Sequence, residues 1–518
     1  MMKFYRPLQL ATVLCATMTL SAQSNTQQEA FINAFAQEAQ NNSQLELLAT
    51  ELLDGIGPRL VGSPEMEKAS DWAIAQFKQW GIDAERQNWG EWKAWQRGTS
   101  TITMTSPRVV TLNATQLAWS PATKKTIEAE VVALPKDPKD FAQWSNQIKN
   151  KVVLLAMYQP VGRPDYQLKE FATPETYEKL KKENEERQNE YQAFLQAIGY
   201  TQNQLAEFLE QKGAAAIAIS NWSGIMGANR IFDAKTKQIP MIDIELEQYG
   251  MLYRLAVNNK KPKISINVQS KDLGKAKAFN TIAKIEGKEK PNEYVILSAH
   301  FDSWDGAQGA TDNGTGVITM METARILKKL YPNPKRTILI GLWGSEEQGL
   351  NGSRAFVKDH PEIIAKTQAV FNQDNGTGRV VSINGQGFVN AYDYVSRWLS
   401  QVPREVSKHI ETSFPGMPSG GGSDHSSFVA AGVPAFMLGS LNWGYFGYTW
   451  HTNKDTYDKI IFDEVKNNVI LTASLAYLAS EEEELVDRTK RVLPTRDGKT
   501  AQWPAVVDAN RAGRLDSK

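Results

Sequence analysis

The sequence predicts an α/β protein: a mixed, mostly parallel sheet with helices on both faces, carrying an inserted β-rich unit. Two observations predict it. In the C-terminal half, the short apolar runs Val295-Ile296-Leu297, Ile338-Leu339-Ile340 and Val370-Phe371 each end abruptly before polar and charged residues, as buried strands of a parallel sheet do. Between about residues 126 and 275 a different set of short strand candidates intervenes, after which Pro291 to His300 resumes the stronger pattern. A pattern that stops and resumes marks an insertion.

The chain opens on Lys3 and Arg6, followed by an apolar stretch from Leu8 to Ala22 and then the polar Gln23-Ser24-Asn25. A charged lead, an apolar centre too short to cross a bilayer and a polar stop read as a secretory signal over residues 1–22. The expected location is therefore the periplasm or the exterior. Cys15, the single cysteine, falls inside that leader, so the exported chain relies on its cores and not on disulfides.

Residues 23–125 read as the first part of the main unit. Phe31, Phe35, Leu45, Leu48 and Leu52 recur at helical spacing. Ser63-Pro64 is the cap and first-turn proline of a further helix, with Ala69, Trp72, Ala73, Phe77 and Trp80 as its apolar stripe and Gly81 at its end. Alternation from Thr101 to Leu117 predicts strands. Within residues 126–275, Ile127 to Leu134, Lys151 to Ala156, Gly213 to Ser220 and Ile239 to Ile244 read as buried strands, and Thr173-Pro174 starts a long charged helix. In residues 276–485, helices are expected from Val317 to Leu330 and from about Asp463 to Val486, and residues 486–518 read as a polar, extended tail.

With 518 residues the chain exceeds one ordinary core. Its 41% hydrophobic and 22% charged residues are those of a folded soluble protein. Lys+Arg and Asp+Glu both number 58, a balance that argues against nucleic acid or an anionic membrane as the main partner. No stretch after the leader approaches a membrane span.

Chemistry gathers after the strand candidates: His300 and Asp302, then Asp312, then Glu346 and Glu347, then Asp374, and later His451 with Asp455. Side chains that leave strand ends in an open α/β sheet share one crevice. A carboxylate-and-imidazole set of this size suits two divalent metals about 3.5 to 4 Å apart, which need one bridging carboxylate and terminal ligands on each side. Asp312 is the expected bridge, with His300 and Asp374 completing one site and Glu347 and His451 the other. Glu346 is the expected general base, taking the proton of a metal-activated water. Asp302, two residues after His300, is expected to accept the imidazole N–H that faces away from the metal, and Asp455 to serve His451 in the same way.

His300-Phe301-Asp302-Ser303-Trp304-Asp305, Gly309-Ala310-Thr311-Asp312-Asn313-Gly314 and Glu346-Glu347-Gln348-Gly349 resemble the motifs of the co-catalytic zinc exopeptidases, the family of bacterial leucyl aminopeptidases and carboxypeptidase Q-like chains. The resemblance implies two Zn2+ on the five ligands above, Glu346 as base and a protease-associated domain over residues 126–275. It departs from the family in the flank of Asp374 and in a large helical region over residues 169–210. Gly420-Gly421-Gly422-Ser423-Asp424-His425 resembles the family's substrate-side loop. Tyr445 lies among the aromatics Trp443, Phe446 and Tyr448 just before His451, either as a pocket wall or as ordinary packing. Asp424, His425 and Tyr445 are the substrate-binding candidates. The expected function is an exported dinuclear zinc exopeptidase of the aminopeptidase, dipeptidase or carboxypeptidase type, acting on the ends of short peptides or on dipeptides, and a homodimer is left open. Two competitors stand on the same scaffold: a single-zinc glutaminyl cyclase and a non-catalytic receptor-type ectodomain.

Overall fold

A computed structural model describes residues 26–514, and the leader expected over residues 1–22 lies outside them. The chain enters through helical residues 26–41 and the helix Leu45–Ala49, whose Phe35, Leu45 and Leu48 are buried in the main core as their spacing predicts. The helix Pro64–Gln79 begins where Ser63 Oγ accepts the Met66 N–H at 3.1 Å, and Gly81 follows it at φ 74°.

The following strand was legible only at its end, from Thr101. β1 (Asp83–Ser106) runs through mostly polar residues, and register shifts at Asn88/Gly90 and Ala94/Trp95 interrupt the period of two. Two short strands follow where alternation predicts them, β2 (Val110–Thr111) and β3 (Ala114–Gln116). Next come β4 (Ile127–Ala133), β5 (Val152–Leu154), β6 (Ala216–Ile219) and β7 (Met241–Ile244), each within its expected segment. β4 through β7 pair in parallel, and parallel neighbours need crossover connections. Hence this stretch, expected to be β-rich, holds more helix than strand, with helices Asp165–Phe171, Pro174–Ile198, Gln202–Gln211 and Leu246–Val257. Thr173 caps the longest of them and Gly199, at φ 76°, ends it, and its charged middle faces solvent.

β8 (Lys263–Ile285) is the seam of the molecule. It pairs along its length with β1, by residues 263–266 with β4, and by residues 281–285 with β10 (Arg336–Trp343). Around β10 lie β9 (Lys290–His300), β11 (Thr367–Asn372), β12 (Val380–Asn384), β13 (Glu411–Ser413) and β14 (Ala435–Ser440). One 15-stranded sheet results, in the order β13-β12-β14-β11-β9-β10-β8-β4-β5-β6-β7-β3 with β1 beside β8 and, beside β1, β2 and the two-residue strand Ala512–Gly513, parallel from β14 through β10.

Side-chain alternation sorts the cores. Val295, Leu297, Ile338, Ile340, Ala369 and Phe371 face the helices Thr315–Leu330 and Phe462–Glu481 in one cluster. Ile296, Leu339, Trp343 and Val370 face Phe356 and Phe428 in another. Residues 126–275 repeat the plan, with Val152 and Leu154 on one face and Val153 on the other. Between the two halves lies a third kind of core, rich in tryptophan: Trp89, Trp92, Trp95, Trp119 and Trp304, with Phe232 against it.

The tail does not trail. Ala512 and Gly513 pair in parallel with Glu91 and Trp92, and Arg511 grips Asp359 at 2.7 Å. A Cβ on Gly513 would stand 2.0 Å from the Trp92 ring, so glycine alone allows this approach. Among the described residues no helix is long and apolar enough to cross a membrane.

Candidate metal centre

β9 ends at His300, β10 at Trp343 and β11 at Asn372, three adjacent parallel strands whose C-terminal ends open on one crevice. His300 therefore arrives fully buried. Its Nδ1 lies 2.9 Å from the Asp302 backbone oxygen, and since a carbonyl can only accept, Nδ1 carries the proton and Nε2 offers a lone pair. Nε2 lies 3.1 Å from Asp312 Oδ1 and 3.0 Å from Asp374 Oδ1.

The Asp302 carboxylate is used differently from the expectation. It stands 3.8 Å from His300 Nδ1, beyond hydrogen-bond reach, and accepts instead the backbone N–H groups of Glu346 at 3.0 Å and Glu347 at 3.3 Å. The reason is geometric: the turn after β10 brings two unpaired N–H groups over the end of β9, and the Asp302 backbone already serves the imidazole. Asp302 thereby fixes the paired glutamates.

Asp312 sits in the loop Ala310–Gly314. Gly309, at φ 62°, precedes it where a Cβ would lie 2.4 Å from Ser303 Cβ. Asp455, expected behind His451, holds this loop instead: its carboxylate accepts the N–H of Thr311 at 2.7 Å and of Asp312 at 3.1 Å. On its far side, Asp312 Oδ2 faces His451 Nε2 at 3.2 Å, and that nitrogen lies 2.7 Å from Glu347 Oε2.

Two donor groups follow, His300–Asp312–Asp374 and Asp312–Glu347–His451, each with its atoms within 4.8 Å of one another and both sharing Asp312. Donor atoms about 2.0 Å from a tetrahedral zinc lie about 3.3 Å apart, close to the separations seen here. Buried oxygens on Asp312 (Oδ2) and Glu347 (Oε1) lack hydrogen-bond partners among the described residues. The residues fit a pair of divalent cations.

The electrostatics argue the same way. Burial pushes Glu346 well above the usual carboxylate range, Glu347 up to about 7 and Asp455 up to about 7. Burial opposes charging His451, but Glu347 and Asp312 outweigh it and lift its pKa to about 10. For Asp312 burial works upward, yet the His300 and His451 imidazoles hold it well below its ordinary value. So many buried carboxylates are tolerable only beside positive charge.

Arg59 supplies some of it. This fully buried guanidinium donates to the backbone oxygens of Phe301 at 2.7 Å, Gln308 at 2.9 Å and Gly309 at 2.8 Å. Burial lowers its pKa to about 10. It clamps the loop between His300 and Asp312, and its one signal in the sequence is a cation between Pro58 and the apolar Leu60-Val61.

Asp424 and His425 start the short helix His425–Ala430 beside Asp374, burial raising the first to about 7 and lowering the second to about 4. Tyr445 is buried and flanked by the charges of Asp312 and Asp374, whereas Trp443, Phe446 and Tyr448 are exposed. Asp424 and His425 thus lie near Asp374, and Tyr445 near Asp312 and Asp374.

Residues 280–476 match Peptidase family M28. The chain is 27% identical over 470 residues to carboxypeptidase Q of Mus musculus, covering 89% of this chain and 90% of that protein. It is 26% identical over 470 residues to the Homo sapiens protein of the same name, with the same shares. Among solved structures, a peptidase M28 precursor from Shewanella amazonensis superposes with a TM-score of 0.66 at 24% identity, covering 91% of this chain and 100% of that one. A zinc aminopeptidase from Bacillus subtilis does so with a TM-score of 0.55 at 20% identity, covering 87% and 97%. Both share the fold described above.

Proposed function

We propose that this chain, a metal-dependent exopeptidase of the co-catalytic zinc family, holds two zinc ions and releases terminal residues from short peptides or splits dipeptides outside the cytoplasm. The observation that carries the reading is the pair of donor groups joined through Asp312. His300 and Asp374 would hold one ion, Glu347 and His451 the other, and Asp312 both. The carboxypeptidase Q relatives, matched over nine-tenths of their length, support cleavage at a peptide end. Export rests on the charged and apolar leader.

When bound, such a pair polarises a scissile carbonyl and eases deprotonation of water. The chain's own residues do the rest. Glu346, in the same turn as the ligand Glu347 but outside both donor groups, takes the proton of the attacking water on its carboxylate and delivers it to the departing amine. Asp302 keeps both glutamates in register through their backbone N–H groups. Asp424, His425 and Tyr445 border the substrate.

The test is Glu346→Gln. It should keep two zinc ions per chain by elemental analysis while kcat on dipeptides falls by about 100- to 10,000-fold, the usual worth of a general base. Wild-type turnover in a zinc-loaded Gln variant would refute the assignment. A wild-type protein with one zinc per chain would instead point to the cyclase-like arrangement.

A further inference from the structure

The two candidate imidazole ligands are held by different means. A metal-ligating histidine ordinarily donates its second N–H to a carboxylate or carbonyl, which fixes the ring. His300 does so through Asp302 O. His451 does not: its buried Nδ1 has no partner among the described residues, and its backbone stands at φ 59° in a half-buried loop.

What surrounds His451 is aromatic. Trp450 stacks on the imidazole with centroids 3.9 Å apart at 26°. Phe232 meets it edge-on at 5.3 Å and 87°, and Trp304 closes a third side at 6.1 Å. Phe232 in turn packs edge-on against Trp304 at 5.3 Å and 88°. Edge-on and stacked ring contacts of this kind favour fixed orientations, and three together restrict a ring whose Nδ1 no hydrogen bond orients.

Phe232 is brought there by the insert. Asn229 and Asn453 pair reciprocally, Asn453 N–H to Asn229 O at 2.9 Å and Asn229 N–H to Asn453 Oδ1 at 3.0 Å. The Ile231 N–H donates to His451 O at 2.9 Å, and Arg230 bridges antiparallel to Thr452. Asn229 is rooted in the insert's sheet by its Nδ2 on Asp243 Oδ1 at 2.6 Å. Residues 229–232 thus form a short strap that grips the backbone of the His451 loop and ends in the ring that abuts its imidazole.

We propose that Phe232 is a positioning residue for His451, so that the insert, and not the strands that carry His300 and Asp374, sets metal affinity at the Asp312–Glu347–His451 position. The inference rests on the two-zinc reading above. It makes the two positions unequal: one completed by the main sheet, the other only when the strap is seated.

The experiment is a zinc titration of chelator-stripped full-length protein by calorimetry with a competing chelator, for wild type, Phe232→Ala and Phe232→Leu. Wild type should take two equivalents. Phe232→Ala should take the first with wild-type affinity and the second about 10- to 100-fold more weakly, the usual effect of losing a residue that orients a ligand, at a melting temperature that confirms folding. Phe232→Leu, which keeps apolar volume but not the aromatic edge that meets the imidazole, should weaken the second equivalent alone, by less than the alanine variant does, and gives the reading should the alanine variant not fold. Two equivalents bound by both variants at wild-type affinity, or an equal weakening of both equivalents, overturns the inference while leaving the two-zinc reading standing. A wild type that takes only one equivalent overturns that reading and the inference with it.

Discussion

His300 and His451 approach opposite oxygens of Asp312, yet they belong to different kinds of structure. His300 closes a buried strand, with neighbours on both sides of the sheet and its free N–H satisfied two residues on. His451 rides a loop reached only after the chain has crossed the whole molecule, and the strap at residues 229–232 steadies it. The difference teaches that one half of the centre is a product of local sequence and strand order, whereas the other depends on contacts across more than two hundred residues. A hydrogen bond at Nδ1 orients the first ring, and aromatic packing stands in its place at the second.

The comparison breaks most completely at the residue common to both halves. Asp312→Asn should lose both zinc ions from a dialysed sample and with them at least about 10,000-fold in kcat, since both metal positions lose a charged donor. Retention of one tightly bound zinc would show that the halves are independent. A smaller effect should follow from the residue that serves the paired glutamates. Asp302→Asn puts an amide where two backbone N–H groups need acceptors, so kcat should fall about 10- to 100-fold with KM nearly unchanged, measured by initial rates on a zinc-saturated variant. A rise in KM alone would place Asp302 in substrate binding instead.

The mildest test reads the root of the strap. Burial pushes Asp243 up to about 8, despite the Asn221 and Asn229 donors. Its folded pKa therefore exceeds the unfolded value near 3.9, so the folded state keeps a proton that the unfolded state releases. That contribution to stability is full at low pH and declines as pH rises from about 4 to about 8, with a slope of at most about 1.4 kcal/mol per unit. Urea midpoints of the wild type should fall between pH 5 and 8 by more than those of Asp243→Asn. Parallel profiles would mean that Asp243 titrates normally.

The same contrast governs what could be read without the structure. The strands β9, β10 and β11 announce themselves by apolar runs, and the residues that leave their ends share a crevice by topology, so His300, Glu346, Glu347 and Asp374 could be grouped by type and position. β1 could not be read before Thr101, because its register shifts erase the alternation there. Asp455 could not be placed from its spacing to His451: four residues on in a loop, unlike a helix, fix no direction, and its carboxylate turned to Thr311 and Asp312. Arg59 showed only as a cation set before an apolar pair and Phe232 carried no local sign at all, since each acts on partners hundreds of residues away.

By itself, then, the sequence determined the α/β class and the chemical inventory of the centre, because hydrophobic period and residue type are local properties. Only the tertiary structure decided that Arg59 clamps the Asp312 loop, that Asp302 serves the glutamates and that residues 229–232 reach the His451 loop. Those are matters of which backbone groups remain unpaired and which rings meet once the sheet has closed, and no spacing along the chain encodes them.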